Sequence, residues 1–264
     1  QLLSRRTTAM NDLTSEEEAW MEELRAAAIM AGLQAQSRFW MAAVAIVSKG
    51  DVKKGLKRLK NWEKVEEEYK VSQCSEEAAT EWFRKTYPDM LIPLSQSNAG
   101  RTGYGIRMGQ FDPSLIKTEQ DWRYVVKTIT LNLHAANPTI SHVRNGIANI
   151  AKMTGVGFKN ISPSVERKMS AVYQDAFPVR IKEIYMVDPP SILHWILKVA
   201  SLFLKKKIME RVHPIPADQM VQFWDAASVP PDLGGTLTED FFEMRTRGLA
   251  LYRQSVAEME GGQN

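Results

Sequence analysis

The stretch QDAFPVRIKEIYMVDPPSILHWILKVASLFLKKKIMERVHPI, residues 174–215, contains the pattern that decides the fold. Its segment Ile181–Val187 is short and rich in branched and aromatic residues, and Pro189–Pro190 ends it, which predicts a buried strand. The apolar segment Ser191–Arg211 predicts a long helix, and Val212–Ile215 predicts a short second strand. A strand, a helix and another strand form the repeating unit of a parallel α/β sheet.

The same alternation continues toward the N-terminus. Tyr104–Phe111 and Val143–Met153 predict two further strands, and Thr118–Asn137 and Ser162–Phe177 predict the helices that follow them. Strands separated by helices imply an α/β protein with right-handed crossovers and a mostly parallel sheet. The rest of the chain predicts further helices, over Ala19–Val47, Val52–Tyr69, Ser75–Lys85, Ala217–Ala227 and Glu239–Met259.

Composition excludes several classes of protein. The 264 residues carry a net charge of +3, which is too small to imply a nucleic-acid partner. The single cysteine, Cys74, excludes an intramolecular disulfide and is typical of a reducing compartment. The sequence has no phosphate-binding loop and no nucleophile elbow, and its four histidines are scattered without metal-ligand spacing. We therefore expect no enzymatic activity, no metal site and no cofactor.

The segment Ile192–Leu204 is apolar nearly all round, since only His194, Lys198 and Ser201 interrupt it. Such a helix is either buried on most sides or in contact with lipid. One interpretation is a core helix of a large domain. The other is a lid that covers a hydrophobic ligand on one face and enters a membrane on the other. The lysines at its end favour the lid. We expect no segment to cross a bilayer, because none approaches the roughly 20 apolar residues of a membrane span.

Basic residues cluster around the same region. Between residues 180 and 211, seven basic residues stand against three acidic ones, a local charge of +4. One interpretation is a solvated helix end whose lysines complement the helix dipole. The other is a site for anionic lipid headgroups, because each basic side chain contributes about 1 kcal/mol near an anionic surface. The basic residues are Arg180, Lys182, Lys198, Lys205, Lys206, Lys207 and Arg211.

The order of these segments resembles the CRAL-TRIO family over roughly residues 38–236. The most specific stretches are VRNGIANIAKMTGVGF (143–158), SPSVERKM (162–169), QDAFPVRIKEIYMVDPP (174–190), FLKKKIMERVH (203–213) and VPPDLGG (229–235). Their combination is most similar to the branch that carries tocopherol and retinaldehyde. The resemblance implies a sheet floor, helical walls and a mobile gate helix over one lipid. It divides the chain into a helical annex at 1–90, a lipid-binding domain at 91–240 and a C-terminal helix and tail at 241–264.

The resemblance also implies site residues, carried over position by position. The gate is the segment Ile192–Leu204. Ordinary core is the alternative role for each candidate in the cavity wall. Four basic residues would meet a phosphoinositide headgroup: Arg180, Lys182, Lys207 and Arg211. The candidates for contact with the lipid are Val126, Ile129, Leu133, Ala151, Met169, Val172, Ile184, Leu193, Ile196, Val199, Phe203 and Leu204.

Three positions depart from the family pattern. Members that hold phosphatidylinositol have Glu directly after the Phe-Pro or Tyr-Pro pair, where this chain has Val179. A buried inositol headgroup needs polar partners, so Val179 favours a less polar cargo. The acidic residue that the family has before the Thr/Glu-Gly turn is Lys152 here, and the basic run of the annex is replaced by the apolar segment Phe39–Val47.

These observations predict a monomeric cytoplasmic carrier with transient peripheral contact to membranes. It would bind one small hydrophobic lipid, of the tocopherol, retinoid or carotenoid type, in a closed cavity and unload it at phosphoinositide-containing membranes. The lipid is cargo rather than cofactor. Two alternatives stay open, namely transfer of phosphatidylinositol or another phospholipid, and a signalling adaptor that senses membranes or binds a protein partner without transferring lipid.

Overall fold

The computed structural model describes residues 10–202 and 206–261, without the side chains of residues 173, 174, 196, 199 and 200. The first third of the chain is helical, as predicted. Thr14 begins the first helix with a capping box, because its hydroxyl accepts from the Glu17 amide while the Glu17 carboxylate accepts from the Thr14 amide. The helices are α1 (Ser15–Met30), α2 (Arg38–Ser48), α3 (Val52–Tyr69) and α4 (Glu76–Thr86).

The prediction of one helix over Ala19–Val47 is wrong, because the chain forms a loop at 31–37. Gly32 has a φ of +68°, a conformation that ends helices and that other residues rarely adopt. The Ser37 hydroxyl then accepts from the Trp40 amide and begins α2. Helical spacing of apolar residues on both sides of this loop hides the break in the sequence.

Within the described residues, five strands form one sheet in the order of the chain. The first strand runs antiparallel to the second, and the other neighbouring pairs are parallel. The prediction of an α/β fold with a mostly parallel sheet is confirmed. The first strand is not predictable from the sequence, because its two residues are too few to show a periodicity. The strands are β1 (Leu91–Ile92), β2 (Thr102–Arg107), β3 (Ile147–Lys152), β4 (Ile181–Val187) and β5 (Val212–Ile215).

Helices connect the parallel strands. The helix after β2 begins with the predicted cap at Thr118, whose hydroxyl accepts from the Asp121 amide at 3.1 Å. The long helix predicted over Ser191–Arg211 is wrong, because the helix ends at Ala200 and residues 201–202 form a turn. The helices are α5 (Glu119–Ala136), α6 (Ile140–Asn145), α7 (Pro163–Ser170), α8 (Leu193–Ala200), α9 (Lys206–Met209) and α10 (Phe241–Gly261).

Gly146 explains why β3 begins at Ile147 rather than at the predicted Val143. It ends α6 with a φ of +74°. A Cβ atom on Gly146 would lie 2.5 Å from the carbonyl oxygen of Arg180, closer than real side chains approach. Glycine therefore lets the start of β3 pass close beside Arg180, the residue that precedes β4. This close approach explains why glycine follows Asn145 in the segment 143–158.

A layer of 3₁₀ turns covers one face of the sheet, in place of the helix predicted over Ala217–Ala227. Met220 and Trp224 in this layer are fully buried against the sheet residues Ile150 and Val187. The prolines of this region, at positions 214, 216, 230 and 231, lie on both sides of the segment 217–227 and limit any helix to the few residues between them. This layer is called the back layer below.

The annex helices share one hydrophobic core with α5 and α10. Trp40 of α2 packs against Trp62 of α3, with ring centroids 4.9 Å apart, and against Phe177, with centroids 5.2 Å apart. The segment that replaces the family's basic run is buried here throughout Phe39–Ile46. One core thus joins the annex, the sheet domain and the last helix, and the two predicted domain boundaries stay a prediction.

Candidate functional site

A cavity of about 240 Å³ lies between the sheet, α5 and α7. Its wall is almost entirely apolar, and none of the described lining residues is Lys, Arg or His. Apart from the hydroxyls of two tyrosines, the polar side chains in the wall are Asn132, Asn149, Glu166 and Ser170. The other lining residues are Phe83, Tyr87, Met90, Tyr104, Ile106, Met108, Phe111, Val125, Ile129, Ala151, Met153, Val156, Ile161, Val165, Met169, Ile181, Ile184, Met186 and Ile208.

The strands contribute alternate residues to the cavity, as the pleat of a sheet requires. On β3, Asn149 and Ala151 line the cavity, while Ile150 between them is fully buried against the back layer. On β4, Ile184 and Met186 line the cavity in the same way. The sheet is therefore the floor of the cavity, and its opposite face belongs to a separate core.

Helix α5 forms a wall of the cavity with the face that carries Val125, Ile129 and Asn132. Val126 and Leu133, predicted to lie on the cavity face, are buried in the core that α5 shares with the annex. The helix is apolar on both of these faces because it is covered on both sides. Periodicity identifies a buried helix of this kind but does not tell which face meets the cavity.

Aromatic residues from outside the sheet close one end of the cavity. Tyr87 packs between Phe83 and Phe111, with ring centroids 5.3 Å and 5.7 Å away. The Tyr87 hydroxyl donates to the carbonyl oxygen of Asp112 at 2.8 Å, which fixes the ring. From the sequence, Phe83 is predicted only as part of a helix and Phe111 only as the end of a strand. Their contribution follows from the packing of α4 beside β1 and β2.

Three of the predicted headgroup residues come together where β4 begins and where α9 meets β5. Arg180 donates to the carbonyl oxygen of Ile46, and Arg211 donates to the carbonyl oxygen of Ile181. Burial and the neighbouring cations, first among them Arg180, lower the pKa of Lys182. Lys182 thus lies in a cluster of positive charge, and the charges of Arg101, Arg211 and Lys49 also lower its pKa.

Lys207 lies exposed on α9. The continuous helix predicted over Ser191–Arg211 would place Lys207 and Arg211 on one face, but α9 ends at Met209 and Arg211 leads into β5. Arg180 and Arg211 already donate hydrogen bonds to backbone carbonyl groups. Their replacement would therefore disturb the fold as well as the surface charge. Lys182 and Lys207 are the cleaner positions for testing that charge.

Large apolar side chains are exposed near the gate segment. Phe158 is 64% exposed, Trp195 on α8 is 40% exposed and Leu202 is 72% exposed. The rings of Phe158 and Trp195 meet edge to face, with centroids 4.9 Å apart. Phe158 comes from the loop after β3, and no pattern in the sequence predicts its exposure. Exposed apolar side chains that cluster in this way are typical of a surface that meets another apolar phase.

A family model for the CRAL/TRIO domain matches residues 89–235, more than half of the chain. The chain belongs to the CRAL/TRIO family. The resemblance found in the sequence is thereby confirmed. The match ends at Gly235, within the motif at 229–235, and includes all five strands of the sheet.

The similarity to individual CRAL/TRIO proteins is moderate. The human protein named alpha-tocopherol transfer protein-like is 27% identical over 139 residues, which are 51% of this chain and 40% of that protein. Human tyrosine-protein phosphatase non-receptor type 9 is 27% identical over 116 residues, which are 44% of this chain and 20% of that protein. The matched region thus spans less than half of either relative. The expectation that this chain is not an enzyme stays a prediction.

The crystal structure of Sfh5 has the same fold. It matches this chain with a TM-score of 0.62 at 12% sequence identity, and the match covers 94% of this chain and 99% of that one. A fungal relative from Ajellomyces capsulatus, named phosphatidylinositol transfer protein SFH5, is 26% identical over 99 residues, 36% of this chain and 22% of that protein.

The CRAL/TRIO cavity includes only part of the predicted lipid contacts. Ile129, Ala151, Met169 and Ile184 line it. Val126, Leu133 and Val172 are buried in the core shared with the annex, and Leu193 is half-buried on α8 outside the cavity wall. The side chains of Ile196 and Val199, together with Phe203 and Leu204, lie outside the described residues.

Val179, taken as a sign of a less polar cargo, is buried in the core shared with the annex and does not line the cavity. It therefore does not report on the cargo directly. The structure explains why a lysine occupies position 152, where the family has an acidic residue. The ammonium group of Lys152 lies 3.0 Å from a carboxylate oxygen of Asp232 in the motif at 229–235.

A second cavity, of about 470 Å³, lies between the annex, α5 and α10. Its wall is charged and unsuited to an apolar lipid, because it includes Glu66, Glu76, Lys127 and Arg253.

Among residues 10–202 and 206–261, no group of His, Cys, Asp and Glu is arranged to hold a metal ion. Within the same ranges, no helix is long and apolar enough to cross a membrane.

Proposed function

We propose that this CRAL/TRIO protein carries one small apolar lipid, of the tocopherol, retinoid or carotenoid type, and unloads it at phosphoinositide-containing membranes. The observation that carries the proposal is the apolar wall of the cavity, in which no described residue is a cation. A lipid inside it would remove its own apolar surface from water at roughly 25 cal/mol per Å².

The surface near the gate supports unloading at a membrane. Phe158, Trp195 and Leu202 would enter the interface, where exposed apolar side chains are favourable. Lys182 and Lys207 would meet anionic headgroups, each contributing about 1 kcal/mol. Apolar insertion and positive charge together give reversible attachment, which a carrier needs in order to leave again.

The first test is direct binding. Retinol, α-tocopherol and β-carotene would each be titrated against the purified protein while tryptophan fluorescence is recorded. We expect at least one of them to bind with a stoichiometry near one and to raise the melting temperature, because binding to the folded state alone stabilises it. If no apolar lipid binds, the carrier function is wrong and the signalling adaptor becomes the better hypothesis.

Transfer of phosphatidylinositol is a second candidate, favoured by the similarity to a protein named as such a transfer protein. A phosphoinositol headgroup inside the cavity would face an apolar wall and the carboxyl group of Glu166, with no described cation in the wall to pair with its phosphate. We therefore expect slow exchange of phosphatidylinositol between vesicles. Exchange faster than that of retinol or α-tocopherol would reverse the order of the two candidates.

The second test concerns unloading. The double variant Lys182→Gln, Lys207→Gln should transfer lipid to vesicles containing phosphatidylinositol bisphosphate roughly tenfold more slowly, because two headgroup contacts are lost. Lys64→Gln with Lys85→Gln removes the same charge from exposed positions of the annex and is the matched control. Lipid affinity in solution should stay unchanged in both. Equal transfer by the unmodified protein to neutral and anionic vesicles would contradict this part of the proposal.

A further inference from the structure

Methionines line the cavity at the edge of the sheet where the parallel strands end. Met108 directly follows β2, Met153 directly follows β3, and Met186 lies one residue before the end of β4. The last residues of these three strands are paired with one another, so the three methionines lie at one edge of the sheet. All three continue the alternation that turns every second residue of these strands toward the cavity.

The antiparallel strand adds a fourth methionine at the same edge. Met90 directly precedes β1, and its carbonyl oxygen accepts from the amide of Arg107, the last residue of β2, at 2.7 Å. Met90 also lines the cavity. Four neighbouring segments thus each place a methionine at this end of the floor. These four residues are called the methionine row below, and they are Met90, Met108, Met153 and Met186.

The methionine row is more adaptable than the rest of the floor. The strands themselves contribute isoleucines such as Ile106 and Ile184, which are branched at Cβ and stiff at χ1. Methionine is unbranched and has three rotatable bonds and a polarisable sulfur, so it fills spaces of different shape. Met90, Met108 and Met186 are half-buried, and they therefore have room to change rotamer.

The size of the cavity makes this adaptability useful. Its volume of about 240 Å³ is below the roughly 300 to 1,000 Å³ of pockets that enclose small molecules, so the wall must move to admit a lipid. The strands cannot retreat, because Ile150 and Val187 are buried against the back layer behind them. The change in shape therefore falls to side chains of the front face.

We propose that the methionine row reshapes one end of the cavity around the cargo, so that the protein binds apolar lipids of different shape with similar affinity. This inference rests on the proposed carrier function and concerns its range of substrates. Flexible, methionine-rich surfaces re-pack around different partners. The range includes a planar polyene, such as retinol, and a bulkier ring with a saturated tail, such as α-tocopherol.

Nuclear magnetic resonance of isotope-labelled methionine methyl groups tests the row directly. Spectra would be recorded of the lipid-free protein and of its complexes with retinol and with α-tocopherol. We expect the signals of the methionine row to take different positions with each lipid. Three buried methionines outside the cavity are internal controls whose signals should hardly move: Met21, Met41 and Met220. Row signals that stay in place when lipid binds would overturn the inference.

A triple variant tests the effect on affinity. Met90→Leu, Met108→Leu and Met186→Leu together keep the row apolar and of similar volume but make it branched. The unmodified protein should bind retinol and α-tocopherol with dissociation constants within about tenfold of each other. The triple variant should change the ratio of these constants by at least about fivefold, because its stiffer wall suits one shape better.

The matched control replaces the same number of buried methionines outside the cavity. Met21→Leu, Met41→Leu and Met220→Leu together should leave the ratio unchanged within about twofold. Melting temperatures of both variants show whether each is folded. Where the triple variant does not fold, the spectra and the ratio of the unmodified protein decide.

The outcomes separate this inference from the carrier function. If neither lipid binds, the carrier function is wrong and the inference falls with it. If one lipid binds and the other is more than about tenfold weaker, the carrier function stands and the adaptable cavity is overturned. A folded triple variant whose ratio changes by less than about fivefold, or no more than that of the control, would also overturn it.

Discussion

The two faces of the sheet differ although the same strands supply both. On the back face Ala148, Ile150 and Val187 are completely buried, and Met220 and Trp224 of the back layer are buried against them. The indole nitrogen of Trp224 donates to the carbonyl oxygen of Ser95 at 3.3 Å, so even its polar atom is satisfied. This face contributes stability through close packing.

The front face carries Asn149, Ala151, Ile184 and Met186 and faces a cavity instead of a packed layer. In lipid-free protein a cavity costs roughly 24 cal/mol per Å³, so a volume of about 240 Å³ is a considerable loss of stability. The back face of the sheet therefore contributes more to the free energy of unfolding than the front face, where space for a ligand replaces packing contacts.

Truncation at matched positions should produce the largest difference between the faces. Ile150→Ala removes a fully buried side chain and should lower the free energy of unfolding by about 4 kcal/mol. Ile184 lines the cavity and has fewer packing contacts to lose, so Ile184→Ala should cost about 2 kcal/mol in the lipid-free protein. Urea unfolding of the lipid-free protein measures both. Equal losses would show that the front face is as tightly packed as the back face.

Enlargement should have opposite effects on the two faces. Ala148→Leu inserts carbon atoms into a fully packed layer and should cost about 1 to 3 kcal/mol. Ala151→Leu projects into the cavity and should leave the unfolding free energy unchanged or raise it by up to about 1 kcal/mol. It should also weaken lipid binding roughly tenfold, because it occupies the ligand's space. A destabilised Ala151→Leu that still binds lipid normally would contradict the front-face assignment.

The smallest expected effect concerns the charges that tie the back layer to the strand ends. Arg107 donates to both carboxylate oxygens of Asp232, at 2.9 and 3.1 Å, and Lys152 approaches one of them at 3.0 Å. Burial by itself would raise the pKa of Asp232, but the hydrogen bonds from Arg107 and Lys152 outweigh it and lower the pKa.

A carboxyl group whose pKa is lowered by folding stabilises the folded state above its unfolded pKa, near 3.9, and loses this contribution as the pH falls through the folded pKa. Asp232→Asn should therefore cost at most about 1 kcal/mol at pH 7, because the group is partly exposed. The difference from the unmodified protein should shrink at pH 2.5. Urea unfolding at both pH values measures it, and a difference that grows in acid would contradict this account.

Much of the fold is predictable because its signals are local. The strand over Ile181–Val187 is bounded by prolines, and the helix that begins after Thr118 has its cap within three residues. The wrong boundaries have causes that the sequence expresses only weakly, one local and one distant. Gly32 ends a helix inside a continuous apolar pattern, and Gly146 is required by the carbonyl group of Arg180, which is distant in the chain.

The sequence by itself determined the family and the alternation of strands and helices. Only the tertiary structure decided that α5 turns Asn132 toward the cavity, that Phe83 and Tyr87 close one end, and that Asn149 lies in the floor. Periodicity and capping depend on neighbours within one or two helical turns, so one sequence shows them. A cavity wall is formed by segments far apart in the chain, and its shape depends on how their surfaces meet.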